Sequence, residues 1–513
     1  MNEKKSVPTA DDLRHSIRAG TRAAFVAQIA AQLISLVQLA MLYHLLQPRD
    51  FGVFGLSLLL VTVPRMLVAP VVSAATVQPA SLSNGQLASL FWINMLFGAI
   101  CAIVAAGGGW LVSVYQETPE VNAATLALAA TSIVASLGAV HQALLERKMR
   151  LATVSRMRVV GQVAGGLAAI AAAWWGAGIW SLVTQQYVEL AVLVVGAWRA
   201  EPWRPAGPRG CESIRSLLHF GGYYSLSSLA FFIAGNSDKL LLYLLCGSTA
   251  AGQAAVGMYN QAYNLMMKPV YLVTLPIAGV MLPALSRAAR DHKLYESLTG
   301  NFFRLTAIAL LPCGVGLYLV ASDVMLVLGG DTWQDAGLML TALAPVVLAQ
   351  GFINICGSVF ASAGRTGRML FGAVIVAAVL TQGYVAGYWF GHHADPTDPL
   401  FPTLGVAWSY SAVALLIVLV PYLAYCFRVV GVSFGGVLKQ LLPAARAAVC
   451  MGLVVWGVQQ MLPSHPSLPA AARLTVLVAA GVVSYGLLAA RELRWLWHEV
   501  VVARKTDDER RGK

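Results

Sequence analysis

Charged side chains are scarce in this sequence, and no long hydrophilic segment interrupts it. Only 11% of its 513 residues are Asp, Glu, Lys or Arg, whereas a soluble globular chain carries roughly 25%. Hydrophobic residues make up 58%, and the mean hydropathy is +0.69. The longest separators between apolar stretches, 199–216 and 283–301, are too short for a catalytic domain. The composition therefore excludes a soluble enzyme and predicts an integral membrane protein.

Cysteine and acidic residues are also rare in this sequence. The seven cysteines form no CxxC or His-adjacent ligand pattern, and most lie in apolar stretches, so we interpret them as small core residues. No disulfide framework, metal site or cofactor is predicted. The 23 acidic residues are outnumbered by 35 Lys and Arg, and the net charge of +12 comes from basic residues at span ends. Such a distribution orients a membrane protein and predicts no nucleic-acid partner.

Apolar stretches long enough to cross a bilayer recur along the whole chain. A spanning helix needs about 20 mostly apolar residues. The first such stretch, 23–43, is too long for the apolar core of a signal peptide. We count fourteen candidate spans, which lie near 22–44, 52–75, 87–113, 121–144, 154–174, 178–198, 217–245, 254–282, 302–321, 335–360, 369–390, 403–427, 444–462 and 471–490.

The loops between these stretches alternate in charge. Basic clusters at the N-terminus, at 147–158 and at 199–215 alternate with an acidic loop around Glu117 and Glu120, and the alternation continues through the second half. This positive-inside pattern predicts that both termini lie in the cytoplasm. It also predicts an even number of spans.

Three landmarks occur twice, in the same order, which indicates an internal duplication. Both copies begin on the same side, so they are parallel repeats about an axis along the membrane normal. We predict an N-terminal six-helix lobe (1–200), a cytoplasmic linker (201–216), a C-terminal six-helix lobe (217–430), an additional helix pair (431–490) and a cytoplasmic tail (491–513). The paired landmarks are GVFGL at 52–56 with GMYNQ at 257–261, RKMR at 147–150 with RTGR at 365–368, and GIWS at 178–181 with GVAWS at 405–409.

Three motifs resemble those of a known family. The segment LLQPRDFGVF at 45–54 is similar to the LLxPxDFGxF signature of bacterial polysaccharide transporters. ALLERKMR at 143–150 resembles their LLxRxMRF loop, and GMYNQAY at 257–263 resembles their GxYxxAYxL motif. Over about residues 1–430 the chain therefore resembles the Wzx-like flippase branch of the multidrug/oligosaccharidyl-lipid/polysaccharide (MOP) exporter superfamily.

The resemblance implies a fold and an activity. The fold would be all-α and polytopic, with two six-helix lobes around a central V-shaped, cationic cavity; in the related lipid II flippases a C-terminal helix pair forms a lipid groove. The activity, which is not enzymatic, would move undecaprenyl-diphosphate-linked oligosaccharide units across the bacterial inner membrane by alternating access. The product would be exopolysaccharide, capsule or O-antigen. Partners would be this lipid-linked glycan, the lipid bilayer, and the polymerase and other membrane proteins of polysaccharide assembly.

Two basic residues near the middle of apolar spans are the first candidates for a substrate site. An ionised side chain at bilayer depth costs a contested ~2.5 to 15 kcal/mol, and such residues normally face a protein interior or a watery cavity. Arg65 follows Gly52 by 13 residues, whereas Lys268 follows Gly257 by 11. This offset is about half a helical turn, so the two are not strict equivalents. Charge-assisted hydrogen bonds from them would replace the hydration of a diphosphate.

Asp238 and Lys239 are neighbours in the seventh span. Side chains of adjacent helical residues point about 100° apart, so we do not expect the two to pair directly, and one of them should meet a different partner. Lys239 would join the cationic site, and Asp238 with Glu189 would serve coupling to a proton or sodium gradient, or gating. The residues expected at the cavity mouth are Arg18 and Arg22, and those expected to contact sugars are Gln28, Gln32, Asn94, Tyr259, Asn260, Tyr263 and Asn264.

Each of these assignments has an ordinary structural alternative. Arg18 and Arg22 also fit positive-inside anchors, and Asp238 with Lys239 also fits a mutually neutralising pair. The amides also fit hydrogen bonds between helices, and the tyrosines fit an interfacial belt. The alternative function is a cation-coupled multidrug antiporter of the same superfamily, which would favour carboxylates over cations in its lumen. A membrane glycosyltransferase or polymerase would need a large outer loop or a carboxylate-bearing motif that this sequence lacks.

Overall fold

The chain forms two compact units, Met1–Ile233 and Ala234–Lys513. The computed structural model describes residues 32, 34–77, 83–148, 150–207, 232, 235–463 and 468–497. Within these residues every regular element is a helix, as the composition predicts.

Unit 1 is built from long helices joined by short turns. Its described helices are α1 (Ile34–Leu45), α2 (Pro48–Val77), α3 (Asn84–Gln116), α4 (Pro119–Arg147), α5 (Leu151–Trp174) and α6 (Ile179–Ala200).

Unit 2 repeats this pattern and continues with further helices. Its described helices are α7 (235–246), α8 (Ala250–Ala288), α9 (His292–Gly329), α10 (Gln334–Leu343), α11 (Val346–Ser362), α12 (Thr366–Ala394), α13 (Leu400–Ala412), α14 (Val420–Val430), α15 (Phe434–Met461), α16 (Ala470–Leu488) and α17 (Ala490–Trp497). A 3₁₀ turn, Asp331–Trp333, precedes α10, and a π-helix, Val413–Leu419, joins α13 to α14.

Polar caps set the helix ends, which lie outside the apolar stretches. The Ser83 hydroxyl accepts a hydrogen bond from the Gln86 backbone N–H (3.1 Å), and the Gln86 side chain accepts one from the Ser83 N–H (3.0 Å). This capping box starts α3 at Asn84, three residues before the predicted span. At α9 the Asp291 carboxylate accepts from the Leu294 N–H in the same way. A hydropathy window cannot include such polar first turns, so these helices extend beyond the predicted spans.

The helix lengths confirm a polytopic membrane protein but not the number of spans. Among the described residues, ten helices are long and apolar enough to cross a membrane, or eleven if the bent α10–α11 pair counts as one span. The structure therefore supports about ten or eleven candidate spans, and the predicted fourteen are not confirmed.

One pair of repeated landmarks does not mark the same point in its helix. Gly178 has a left-handed φ of +53° and directly precedes α6. Gly405 lies inside α13, which begins at Leu400, where the backbone N–H donates a hydrogen bond to the Asp398 carboxylate (2.9 Å). The two copies of this landmark therefore differ in their position relative to the helix start.

Glycines at four-residue spacing bring α12 and α13 into close contact. A Cβ atom added at Gly387 would overlap the carbonyl oxygen of Gly405, and one added at Gly405 would overlap that of Gly387. Gly383 and Gly391 continue the row on α12. Small residues at this spacing let helices in a membrane approach closely, so packing replaces the absent hydrophobic force.

This contact gives a stability prediction. Gly387→Ala should lower the free energy of unfolding by about 1–3 kcal/mol, since the added methyl group forces two backbones apart. Gly316→Ala in α9 is a matched control, because no atom lies within 4 Å of its added Cβ. The control should be neutral or stabilising. The Tm values of the purified variants in detergent would test this, and an equal Tm for both variants would contradict it.

Candidate functional site

A buried carboxylate at the start of α7 is the first element of the site in unit 2. Asp238 is 1% exposed. The Tyr259 hydroxyl, on α8, donates a hydrogen bond of 2.6 Å to its Oδ2 atom, and Tyr259 is itself fully buried. The Oδ1 atom of Asp238 is buried and has no hydrogen-bond partner among the described residues. A buried charge with one unsatisfied oxygen is costly, so this carboxylate is poised to accept a further donor or a cation.

The adjacent Lys239 takes partners of its own. Its ammonium donates a hydrogen bond to the Asn236 side-chain oxygen (3.1 Å) and lies 3.8 Å from the centre of the Tyr263 ring. Lys239 is 8% exposed, and a desolvated cation–π contact is worth about 2 kcal/mol. The expectation that Asp238 and Lys239 meet different partners is confirmed. The fold therefore buries an acidic and a basic side chain at adjacent positions of one helix.

Tyrosines extend this cluster across unit 2. The Tyr263 ring stacks on Tyr410 with 6.4 Å between centroids, and Tyr384 meets Tyr410 edge to face at 5.3 Å. The Gln350 amide donates to the Tyr410 hydroxyl (2.6 Å). We call Asp238, Lys239, Tyr259, Tyr263, Tyr384, Tyr410 and Gln350 the buried cluster.

Two irregular helices adjoin the buried cluster. The α10–α11 pair bends by 54° between Leu343 and Val346, four residues before Gln350. Its backbone is partly satisfied from α13, because the Ser411 hydroxyl donates to the Ala342 carbonyl oxygen. Tyr410 precedes the π-helix Val413–Leu419 by three residues. Broken spans and π-helices recur at binding sites of membrane transporters, so their place beside the cluster supports a functional site there.

The two predicted mid-span cations are both half-buried. Arg65 lies in α2 of unit 1, and it forms no ion pair with any described residue. Lys268 lies in α8 of unit 2. Measured from the helix starts, Arg65 follows Pro48 by 17 residues and Lys268 follows Ala250 by 18. Counted from the helix starts, the two positions therefore differ by one residue, whereas counted from Gly52 and Gly257 they differ by two.

Other predicted residues have structural contacts. The Asn94 side chain is buried and donates to the Ser136 carbonyl oxygen (2.9 Å), which joins α3 to α4. Glu189 of α6 packs against the glycine positions 161 and 165 of α5. Asn260 is half-buried and Asn264 exposed on α8, and Gln32 is half-buried. Arg18, Arg22 and Gln28 lie outside the described residues.

Sequence reasoning missed three members of the buried cluster and one residue that contacts it. Asn236 precedes Lys239 by three residues on α7, a spacing that places both on one helix face and could have indicated the contact. Tyr384, Tyr410 and Gln350 come from three other helices. Only the tertiary fold brings them to Asp238 and Lys239, so no local pattern predicts them.

These features define a class of protein: a polytopic α-helical membrane transporter with charged side chains buried among its spans. Residues 41–337 match the family model described as "Polysaccharide biosynthesis protein", and this range contains all three sequence motifs. The match covers more than half of the chain, which therefore belongs to this family. The predicted family membership is confirmed.

Relatives and solved structures agree with this assignment. The chain is 22% identical to the lipopolysaccharide biosynthesis protein WzxC of Escherichia coli K12, over 93% of this chain and 90% of that protein. It is 25% identical to the succinoglycan biosynthesis transport protein ExoT of Rhizobium meliloti, over 89% of each.

The fold is similar to that of the lipid II flippase MurJ in an inward closed conformation, with a TM-score of 0.71, 11% identity and coverage of 92% of this chain and 98% of that one. It is also similar to an inward-facing MATE-family multidrug transporter of the MOP superfamily, with a TM-score of 0.60, 15% identity and coverage of 80% and 96%. These two likenesses show that the chain has the fold of MOP-superfamily transporters.

Proposed function

We propose that the chain moves undecaprenyl-diphosphate-linked oligosaccharide units across the bacterial inner membrane by alternating access, for exopolysaccharide, capsule or O-antigen synthesis. The observation that carries the proposal is Arg65, a half-buried cation within α2 that forms no ion pair with any described residue. A permanent charge kept at this depth is expensive unless a ligand or water compensates it. A diphosphate is such a ligand, since arginine binds phosphate oxygens with paired, charge-assisted hydrogen bonds.

The proposal gives each candidate residue a role. Arg65 in unit 1 and Lys268 and Lys239 in unit 2 would bind the diphosphate, with Arg18 and Arg22 meeting it first on the cytoplasmic side. Tyr263, Asn260 and Asn264 would contact sugar rings and hydroxyls. The polyprenyl tail needs no polar partner, because it stays in lipid.

The topology belongs to the same proposal. Fourteen spans, arranged as two six-helix lobes (1–200 and 217–430), a linker (201–216), a helix pair (431–490) and a tail, would leave both termini in the cytoplasm. The charge alternation of the loops supports this orientation. Partner proteins would be the polymerase and other membrane proteins that use the translocated glycan.

A cation-coupled multidrug antiporter is the second candidate. Asp238 favours it, since one oxygen of this buried carboxylate has no hydrogen-bond partner among the residues that the structure describes. Such an oxygen suits a coupling proton or sodium ion in either kind of transporter. Glu189 is the other carboxylate in question, although it packs among glycines of α5. Three cations against two carboxylates support the anionic substrate.

Deleting the gene and following the lipid-linked glycan tests the function. We expect the intermediate to accumulate on the cytoplasmic leaflet, where an added impermeant glycan-modifying enzyme cannot reach it in intact spheroplasts. Expression of the wild-type chain should restore its accessibility and the surface polysaccharide. Normal export in the deletion strain, together with increased sensitivity to cationic drugs, would instead support the antiporter.

A further inference from the structure

The last helices of unit 2 pack along α9. Buried residues of α15 and α16, including Met451, Val455 and Leu477, form one apolar cluster with Val320 of α9. The Tyr485 hydroxyl of α16 donates to the Ile308 carbonyl oxygen of α9 (2.8 Å). The C-terminal helices are therefore joined to α9 by both apolar and polar contacts.

Two ion pairs fix the register of these helices. Asp323 of α9 pairs with Arg473 of α16, with 3.4 Å between Oδ1 and Nε. Arg304 of α9 pairs with Glu492 of α17, with 2.6 Å between Nε and Oε2. The two pairs are 19 residues apart along α9 and also 19 residues apart along α16–α17. Nineteen helical residues rise about 28 Å, which matches the roughly 30 Å hydrocarbon core of a bilayer.

This spacing sets the depth of α17. An ion pair is least costly near the polar surfaces of a bilayer, and two pairs one bilayer thickness apart on α9 would lie one at each surface. Glu492 belongs to the pair on the side that the loop charges assign to the cytoplasm. This arrangement would hold the short helix α17 (Ala490–Trp497) at the level of the lipid headgroups.

The same ion pair determines which charges α17 presents outward. Glu492 is the sole acidic residue of this helix and is only 6% exposed. Its partner Arg304 also contacts Trp495, since the guanidinium lies 4.0 Å from the centre of that ring. Arg491 and Arg494 are exposed. Leu493 between them is also exposed, at 36%. The outer surface of α17 therefore combines two cations with an apolar side chain.

We propose that α17 is an interfacial helix whose Arg491 and Arg494 bind the headgroups of anionic phospholipids in the cytoplasmic leaflet. Exposed cations beside an apolar side chain, at headgroup depth, are the chemistry of helices that lie on anionic membrane surfaces. The Arg304–Glu492 pair positions the helix, and it also neutralises the one acidic side chain of α17, which would otherwise repel such lipids. The inference does not depend on which molecule the chain transports.

Hydrogen exchange of the full-length protein in nanodiscs tests this proposal. The amides of α17 should exchange more slowly in discs of phosphatidylcholine with phosphatidylglycerol than in phosphatidylcholine alone. Each arginine at a membrane surface should contribute roughly fivefold to this lipid effect. Arg491→Gln with Arg494→Gln should abolish the effect, while exchange in α9 stays unchanged and shows that the fold is intact.

A second pair of arginines provides the matched control. Arg365 and Arg368 are exposed at the start of α12, in the same unit and on the same assigned side. Arg365→Gln with Arg368→Gln removes equal charge and should leave the lipid effect on α17 intact. Equal exchange of wild-type α17 in both kinds of disc would overturn the proposal, as would loss of the lipid effect in this control.

Two further variants test whether the Arg304–Glu492 ion pair positions α17. Arg304→Glu should release α17 and make its exchange fast in both lipids, whereas Arg304→Glu combined with Glu492→Arg should restore slow exchange in the anionic discs. If α17 still exchanges fast in the double variant while α9 stays protected, this ion pair does not position the helix.

Discussion

Replacing Arg65 with Ala is expected to reduce polysaccharide export at least tenfold while the protein remains at normal abundance. The reason is that Arg65 is a half-buried cation without an ion-pair partner among the described residues, so its removal costs the fold little. A hydrogen bond to a charged group contributes about 1.5–3 kcal/mol, which corresponds to a tenfold to hundredfold loss of diphosphate binding. Surface polysaccharide and membrane-protein level would be measured in the same cells.

Arg49 provides the control on the same helix. It forms a surface ion pair with Glu120 (2.7 Å), in which the two side chains are 40% and 55% exposed. Exposed pairs contribute only about 0–1 kcal/mol, so Arg49→Ala should leave export nearly unchanged. Arg65→Lys should retain part of the activity, since lysine keeps the charge but not the paired geometry. Normal export by Arg65→Ala at normal abundance would remove Arg65 from the mechanism.

The sequence predicted which segments are helical better than where they begin. Apolar length located α3 and α9, but the N-caps Ser83 and Asp291 start these helices outside the apolar stretches. Caps are local, so they could have been read from the residues that precede each span. The bend between α10 and α11 was not predicted, although Pro345 lies at that point.

The candidate site was predictable only where helical geometry decides the outcome. Adjacent positions on one helix diverge, and this was sufficient to separate Asp238 from Lys239. Their partners Tyr259 and Tyr263 come from α8, which follows α7 directly. Tyr410 and Gln350 come from helices more than 100 residues further along, and only tertiary packing brings them close.

The buried cluster also changes how the cations of unit 2 are understood. Lys239 is already satisfied by Asn236 and the Tyr263 ring, so a diphosphate would have to compete with these contacts. Asp238, in contrast, keeps one oxygen without a hydrogen-bond partner in the described part of the chain. The carboxylate is therefore the member of the pair with the stronger structural argument for a ligand, and the ligand it suits is a cation. This supports a division in which Arg65 and Lys268 meet the substrate and Asp238 responds to the coupling ion.

Asp238→Asn is expected to reduce export at least tenfold and to remove any dependence of transport on a proton or sodium gradient. Asparagine retains the size of the side chain and an oxygen that can accept the Tyr259 hydrogen bond, so the fold should persist. It cannot carry the negative charge that attracts a cation or takes up a proton. Export in cells and gradient-dependent flipping in reconstituted vesicles would be measured for the variant and the wild type.

Asp331→Asn and Tyr259→Phe distinguish a coupling role from a structural one. Asp331 is exposed before α10, so its replacement should change neither export nor gradient dependence. Tyr259→Phe removes one hydrogen bond to Asp238 but leaves its charge, and we expect reduced export that still depends on the gradient. If Asp238→Asn lowers Tm and abundance together with export, its role is structural. If it transports normally with an unchanged response to the gradient, the buried carboxylate does not couple transport, and Glu189 becomes the carboxylate to replace next.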